Sequence, residues 1–215
     1  MNSIAHPQRP RSGVELLRSA PRFMDAVEGA RLVHLLRVGK QSGCTCVQFI
    51  AARHGEGVSS LAHDLAIIAA RDHGLSTMLL VVNRSPEKTF EFEDETLPPA
   101  SEVIALSAEG GPASSMVSSP MPRMNLQVAT QGLVRTVAEW DDVLSPLCRE
   151  FDFLIVDGPA LVDCYAGVMI SSLMDANLIV TAAENTPVEA TRLLHERLME
   201  AGGKVLGVIL NKRRF

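Results

Sequence analysis

The residues best suited to chemistry fall in one short stretch, Val47 to Leu61, which reads Val-Gln-Phe-Ile-Ala-Ala-Arg-His-Gly-Glu-Gly-Val-Ser-Ser-Leu. Its apolar start predicts a buried strand, its glycines a turn, and its end the opening of an amphipathic helix. A glycine turn at a helix N-terminus gathers backbone N–H groups around one point, where the helix dipole also favours negative charge. That combination cradles phosphate. Against the spacing G-x-x-x-x-G-K-[ST], Ala52 takes the first glycine position, Gly57 the second and Ser59 the hydroxyl position. Val58 stands where the lysine belongs. The expected anion-binding residues are therefore Gly55, Glu56, Gly57, Val58, Ser59 and Ser60, without the cation that would reach the β- and γ-phosphates.

Two further residues join this reading. Asp157 closes the apolar run Phe153-Leu154-Ile155-Val156. An acid there, across from a phosphate cradle, helps to hold Mg²⁺, with Ser59 as the direct ligand. The plainer alternatives stay open: Asp157 as a turn former, and Ser59 as a helix N-cap. Asn211, after the last apolar run, is placed to bond an adenine edge or simply to end a strand.

The elements that must position these residues follow from pattern. Leu61, Leu65 and Ile68, with alanines at 62, 66 and 69, form the stripe of a helix packed on a sheet, and Gly74 ends it. Thr77 to Val82 is a continuous apolar run, which predicts a central parallel strand covered on both faces. Strand, turn, helix and strand make one βαβ unit. Residues 1–12 read as a flexible arm and 13–215 as a single domain. Within it, 13–43 is expected to be a helical segment broken at Pro21, and 84–125, rich in Glu, Pro, Ser and Gly, a low-order excursion.

The C-terminal third turns regular again. A strand is expected near Asn125–Ala129, a helix over Val134–Leu144, and a second short helix or kink capped by Ser145-Pro146. Residues 166–174 read as helical, Asn177–Thr181 and Val205–Leu210 as strands. Thr186-Pro187-Val188-Glu189 has the form of a capping box. The alternation predicts an α/β fold, a doubly wound parallel sheet with helices on both faces.

Composition narrows the function classes. Net charge is −5 over 215 residues, which argues against nucleic acid as a partner. The basic groups Arg9, Arg11, Arg18 and Arg22, and Lys212 to Arg214, are local exceptions. Neither the four cysteines nor the six histidines fall in zinc spacing: Cys44 and Cys46 form C-x-C, while Cys148 and Cys164 stand isolated. Reduced thiols are expected. No apolar run approaches the ~18 residues of a membrane span, and the N-terminus with Pro7 and Pro10 does not read as a secretory signal. A cytoplasmic protein is expected.

Several stretches together resemble a known family. They are Gln48 to Ala52 with Gly55 to Ala62, Asn125 to Gly132, Phe151 to Pro159, Asp175 to Val180, and Gly203 to Asn211. In these the chain is similar to the cytoplasmic P-loop domain of bacterial tyrosine kinases and their relatives in exopolysaccharide export, within the ParA/MinD-like ATPases. The likeness spans roughly residues 25 to 212. It implies a P-loop NTPase-like fold, ATP or ADP with Mg²⁺ as ligands, and a location at the inner face of the plasma membrane through a membrane polysaccharide co-polymerase. Glu28-Gly29-Ala30-Arg31-Leu32-Val33-His34 is similar to the family's E-x-x-R-x-x-R helix, which implies contacts between subunits of a homo-oligomer; His34 departs from it. An ordinary amphipathic helix is the alternative.

Three departures shape the functional reading. Val58 replaces the lysine, and Val81 to Pro86 carries no Asp where the family has a second acidic motif. The kinases' own substrate, a tyrosine-rich tail, is not expected, since Tyr165 is the only tyrosine and the chain ends at Phe215. The leading expectation is thus a degenerate member with weak or no ATP hydrolysis. One alternative is an active ATPase or tyrosine kinase that draws its cation from Arg53, Arg84 or a neighbouring subunit. Another is an NADP-binding Rossmann oxidoreductase, from the near fit of Gly55 to Ser60 to G-x-G-x-x-G/A and from Asn83-Arg84-Ser85. DNA partitioning is disfavoured by the acidic charge.

Overall fold

The chain alternates strand and helix, and its longest apolar runs become the strands nearest the centre. The structure, a computed structural model, describes residues 14–17, 23–38, 40, 43–83, 89–92, 117–121, 126–132, 136–183 and 185–211. In order these hold Val14–Leu17 (β1), Ala26–Arg37 (α1), Thr45–Ala51 (β2), Val58–Asp72 (α2), Thr77–Asn83 (β3), Thr89–Phe92 (β4), Val117–Met121 (β5) and Leu126–Gly132 (β6). Then come Val137–Glu150 (α3), Phe153–Asp157 (β7), Ala166–Met169 (α4) running into a 3-10 turn at Ile170–Leu173, Ala176–Ala182 (β8), Val188–Glu200 (α5) and Val205–Asn211 (β9).

Seven strands form one sheet in the order β5-β6-β3-β7-β2-β8-β9. All neighbours are parallel except β5, which runs antiparallel to β6 with Val117 opposite Thr130. Every residue of β2, β7 and β8 is buried, as strands covered on both faces must be. On one face, α1 and α2 pack through Val33, Leu36, Leu65 and Ile68 onto Val47, Phe49 and Ile155. On the other, α3 sets Trp140, Leu144 and Leu147 against Met78, Leu80, Leu154 and Val156, and α5 sets Leu194 and Leu198 over Ile50 and Ile179. The doubly wound α/β architecture is as expected.

Local signals fix the helix ends. Asp25 caps α1, its Oδ1 accepting from Val27 N at 2.9 Å and Glu28 N at 3.2 Å. Gly29 sits where a Cβ would lie 2.3 Å from Ile68 Cδ1, so the glycine lets α1 lie close on α2. Thr136 and Glu139 form a reciprocal capping box at the start of α3.

Three expectations are corrected. Val14–Leu17 is a strand rather than helix, paired in parallel with β4, Val14 opposite Thr89. A four-residue run of Val-Glu-Leu-Leu satisfies either period, and the partner strand decides. The helix α3 runs through Pro146 to Glu150 with no break at Ser145-Pro146. Its buried stripe of Trp140, Val143, Leu144 and Leu147 outweighs the cost of about 3 kcal/mol for an interior proline. Residues 84–125 contain β4 and β5; the remainder of that excursion, like residues 1–12, lies outside the described residues. Finally, Cys148, isolated along the sequence, packs against the same apolar cluster as Cys44 and Cys46. All four cysteines are free thiols. No helix among the described residues is long and apolar enough to cross a membrane.

Candidate nucleotide site

A cleft of about 690 Å³ opens at the carboxyl ends of the strands, between the β2–α2 loop, the end of β3 and the loop after β7. Crevices at that end of an open parallel sheet are where such folds take ligands. The loop from Ala52 to Gly57 turns sharply there. Gly55 has φ +72° and Gly57 φ +98°. A Cβ on Gly57 would fall 1.9 Å from Asn211 Nδ2, so both the dihedral and the space demand glycine.

The loop hands directly into α2, whose N-cap is Gly57 with no side-chain capping bond. Ser59 therefore lies in the first helical turn and is not the cap that its type permitted. The first-turn amides of a helix have no intrahelical partner, and here no acidic side chain competes for them. Leu61 N closes the first bond back to Gly57 O at 3.0 Å. Gly55, Glu56, Gly57, Val58, Ser59 and Ser60 all line the cleft.

Glu56 does something that the sequence did not announce. Its side chain is buried at 3% exposure. One carboxylate oxygen accepts from Arg53 N at 3.1 Å and the other from the Thr186 hydroxyl. Thr186 Oγ1 in turn accepts from Ala182 N at 3.1 Å. Asn211 Nδ2 donates to Glu56 O at 2.8 Å, and Asn211 O accepts from Ala183 N at 2.8 Å. The loop is thus tied to the carboxyl ends of β8 and β9. Glu56 serves the cradle as a tether through its carboxylate, and Asn211 holds the loop from the β9 side.

Thr186 was expected to cap α5 with Glu189. Instead Pro187 is the N-cap, without a side-chain bond, and Thr186 turns to Glu56. The partners stand 130 positions apart, so no local spacing could reveal the pair. A polar residue just past a buried strand end, facing the glycine loop across the sheet, was the available signal.

Asp157 ends β7 between Phe49 of β2 and Val81 of β3, and is 5% exposed. Gly158 follows flush against β2: a Cβ there would meet Gln48 Nε2 at 2.5 Å and Phe49 O at 3.0 Å. Asp157 and Ser59 line the same cleft. A hydroxyl and a carboxylate are hard oxygen donors of the kind that Mg²⁺ takes, with water and phosphate completing its shell. Among the described residues no group of three His, Cys, Asp or Glu is arranged to hold a metal. Val81 and Val82 line the cleft where a second acid would stand. Arg84 to Pro86 lie outside the described residues.

Three more side chains reach this space. Arg53 is exposed on the loop and lines the cleft. His54 Nε2 meets Asp163 Oδ1 at 2.6 Å, joining the glycine loop to the loop after Asp157. Phe23 is placed at the cleft because its N–H and that of Met24 bond Asp64 Oδ2 at 2.6 and 2.9 Å.

No family model matches the chain. Over 73 residues it is 30% identical to the tyrosine-protein kinase ptk of Acinetobacter johnsonii, and over 73 residues 29% identical to the tyrosine-protein kinase CpsD of Streptococcus pneumoniae serotype 4. Over that segment the chain is similar to bacterial tyrosine kinases. The matched segment is 34% of this chain, 10% of ptk and 32% of CpsD, so it spans a tenth of the one and a third of the other.

The chain also shares its fold with solved structures. The chimerical protein CapA2B2 matches with TM-score 0.64 and 19% identity, covering 88% of this chain and 85% of that one. The kinase domain of the Escherichia coli tyrosine kinase ETK matches with TM-score 0.62 and 15% identity, covering 87% and 75%. The septum site-determining protein MinD of Pyrococcus horikoshii, solved with Mg-ADP, matches with TM-score 0.52 and 18% identity, covering 77% and 70%. The fold is that of the P-loop NTPases.

Proposed function

We propose that this chain is a degenerate P-loop protein of the tyrosine-kinase type, acting in exopolysaccharide synthesis or export as an assembly or regulatory partner of a membrane polysaccharide co-polymerase. It binds ATP or ADP weakly, transfers phosphoryl groups slowly or not at all, and sits at the inner face of the plasma membrane through that partner. One observation carries the reading. The backbone of the cradle is built and tethered, with Gly57 at φ +98° heading α2, while Val58 occupies the lysine position. Backbone N–H groups hold phosphate whatever the side chains are, so anion affinity survives; the charge that stabilises phosphoryl transfer does not.

The magnitude follows from the missing contact. A charge-assisted hydrogen bond to phosphate contributes about 1.5–3 kcal/mol. At ~1.4 kcal/mol per decade, its loss weakens binding by roughly ten- to a hundredfold. Ser59 and Asp157 would hold Mg²⁺, which when bound neutralises the phosphate charge. The glycine loop orients the phosphates, and Asp157, buried at the end of β7, is held in place by the strands on either side.

Subunit contacts through α1 belong to the same proposal. Glu28 and Arg31 pair with each other at 2.8 Å on its exposed face, and Val27, Leu35 and Val38 beside them are exposed. Apolar residues flanking a charged pair suit a protein–protein contact.

A second reading, an active ATPase or kinase, is favoured by one feature: Arg53 lines the cleft and could stand in for the lysine. Steady-state ATP turnover by the purified chain with its co-polymerase partner separates the two. Turnover at background is expected. A rate of about one per second or more, in the range of working kinases, abolished by Asp157→Ala, would overturn the proposal in favour of the second reading.

A further inference from the structure

β9 ends the sheet: among the described residues only β8 pairs with it. Its burial alternates along its length, and Leu206, Val208 and Leu210 are 44%, 53% and 58% exposed. The register places Val208 beside Ile179 and Leu210 beside Thr181. Ile179 belongs to the apolar cluster under α5, and Thr181 Oγ1 meets Thr191 Oγ1 of α5 at 3.3 Å. Val208 and Leu210 therefore lie on the α5 face of the sheet, and α5 leaves them half uncovered. Val188 and Met199, on the same flank of α5 as Thr191 by helical spacing, are 77% and 53% exposed.

The backbone at this edge is open as well. Asn211 O accepts from Ala183 N at 2.8 Å, so Asn211 turns its carbonyl toward β8. Residues of a strand alternate between its two edges, so Ile209 also bonds β8, while Val208 and Leu210 present N–H and C=O outward. Val205 to Asn211 holds no proline and no charged residue, the devices by which edge strands repel another strand.

We propose that two copies of this chain pair through β9, antiparallel about a twofold axis at Val208. The exposed side chains are spaced symmetrically about that residue. Val208 of one copy then meets Val208 of the other, Leu206 meets Leu210, and the two Val208 residues exchange both backbone hydrogen bonds. The twofold axis closes the contact at two copies and joins the two sheets into one. The five exposed side chains offer about 300 Å² of apolar surface per copy, at ~60–120 Å² for each when fully exposed. With the strand backbone and a polar rim, the pair buries about 1,000 Å² in total, the lower bound of a specific interface, which makes the dimer reversible. α1 packs on the other face of the sheet, so this contact is distinct from the one through Glu28 and Arg31.

The test uses the full chain without nucleotide. Sedimentation velocity is expected to show a monomer–dimer equilibrium with Kd roughly 10–100 μM, as suits an interface of that size. Added salt is expected not to weaken it, because no charge lies within the paired strands. Val208→Lys sets like charges opposite each other and is expected to raise Kd at least about tenfold. Val208→Cys is expected to crosslink to its counterpart under mild oxidation, since such antiparallel pairs bring Cα atoms to about 5.5 Å, within disulfide range. Leu210→Cys is expected not to, because its two copies lie about 13 Å apart along the paired strands. A chain that stays monomeric, association that Val208→Lys leaves intact, or equal crosslinking of the two cysteine variants would each overturn the proposal. So would hydrogen-exchange protection of the Val208 and Leu210 amides in the monomer, which would assign the edge to another segment of this chain. Protection that appears only with the co-polymerase's cytoplasmic end would assign it to that partner instead, with the same consequence. The crosslinks decide the matter even should Val208→Lys fail to fold.

Discussion

Thr186 and Glu56 show what a residue contributes when its partner lies across the fold. The Glu56 carboxylate is buried, and its charge is met by one backbone N–H and one hydroxyl. Replacing Thr186 by valine keeps the shape and removes the hydroxyl donor, leaving a buried carboxylate oxygen unsatisfied at a cost of about 1–3 kcal/mol. Urea unfolding of Thr186→Val should show that loss, and an unchanged midpoint would mean that the tether does not hold the loop. At this scale the meeting of Gly57, Ser59 and Asp157 at one cleft was legible in the sequence, because loop spacing and a strand-end acid are local signals. The roles of Glu56, Asn211 and Thr186 were not, because hydrogen bonds 130 and 155 positions apart leave no pattern along the chain. The place of Cys148 beside the apolar cluster that holds Cys46 is hidden along the chain for the same reason.

Among the elements, those that the sequence disclosed are the ones with long periods or full burial. α2, β3, β7 and β8 read directly from stripes and apolar runs, since their packing faces are their own composition. β1 and β4 did not, because four residues carry too little periodicity to tell strand from helix. Proline misled at α3: the rule that it ends helices holds for exposed segments and yields where a buried face such as Trp140 to Leu147 keeps the helix in place. The start of α3 is a clearer case of local control. Thr136→Ala removes the oxygen that accepts from Glu139 N at 3.2 Å and dissolves the reciprocal box. It is expected to lower stability by about 0.5–2 kcal/mol in chemical denaturation, with the ATP response untouched.

For the whole molecule, the doubly wound sheet gathers its candidate site at one end. The carboxyl ends of β2, β3, β7, β8 and β9 hold the glycine loop, Asp157, Thr186 and Asn211. The six parallel strands follow from the alternation of apolar runs with amphipathic ones, whereas their order in the sheet is set by long-range packing that no local pattern carries. The account turns on a cradle whose backbone persists without its lysine. Calorimetric titration of MgADP into the wild type and Val58→Lys tests that directly. Wild-type binding is expected at roughly 0.1–1 mM, tightened about ten- to a hundredfold by the lysine. Silence from both proteins at several millimolar would contradict the account, and so would tight wild-type binding that the lysine leaves unchanged.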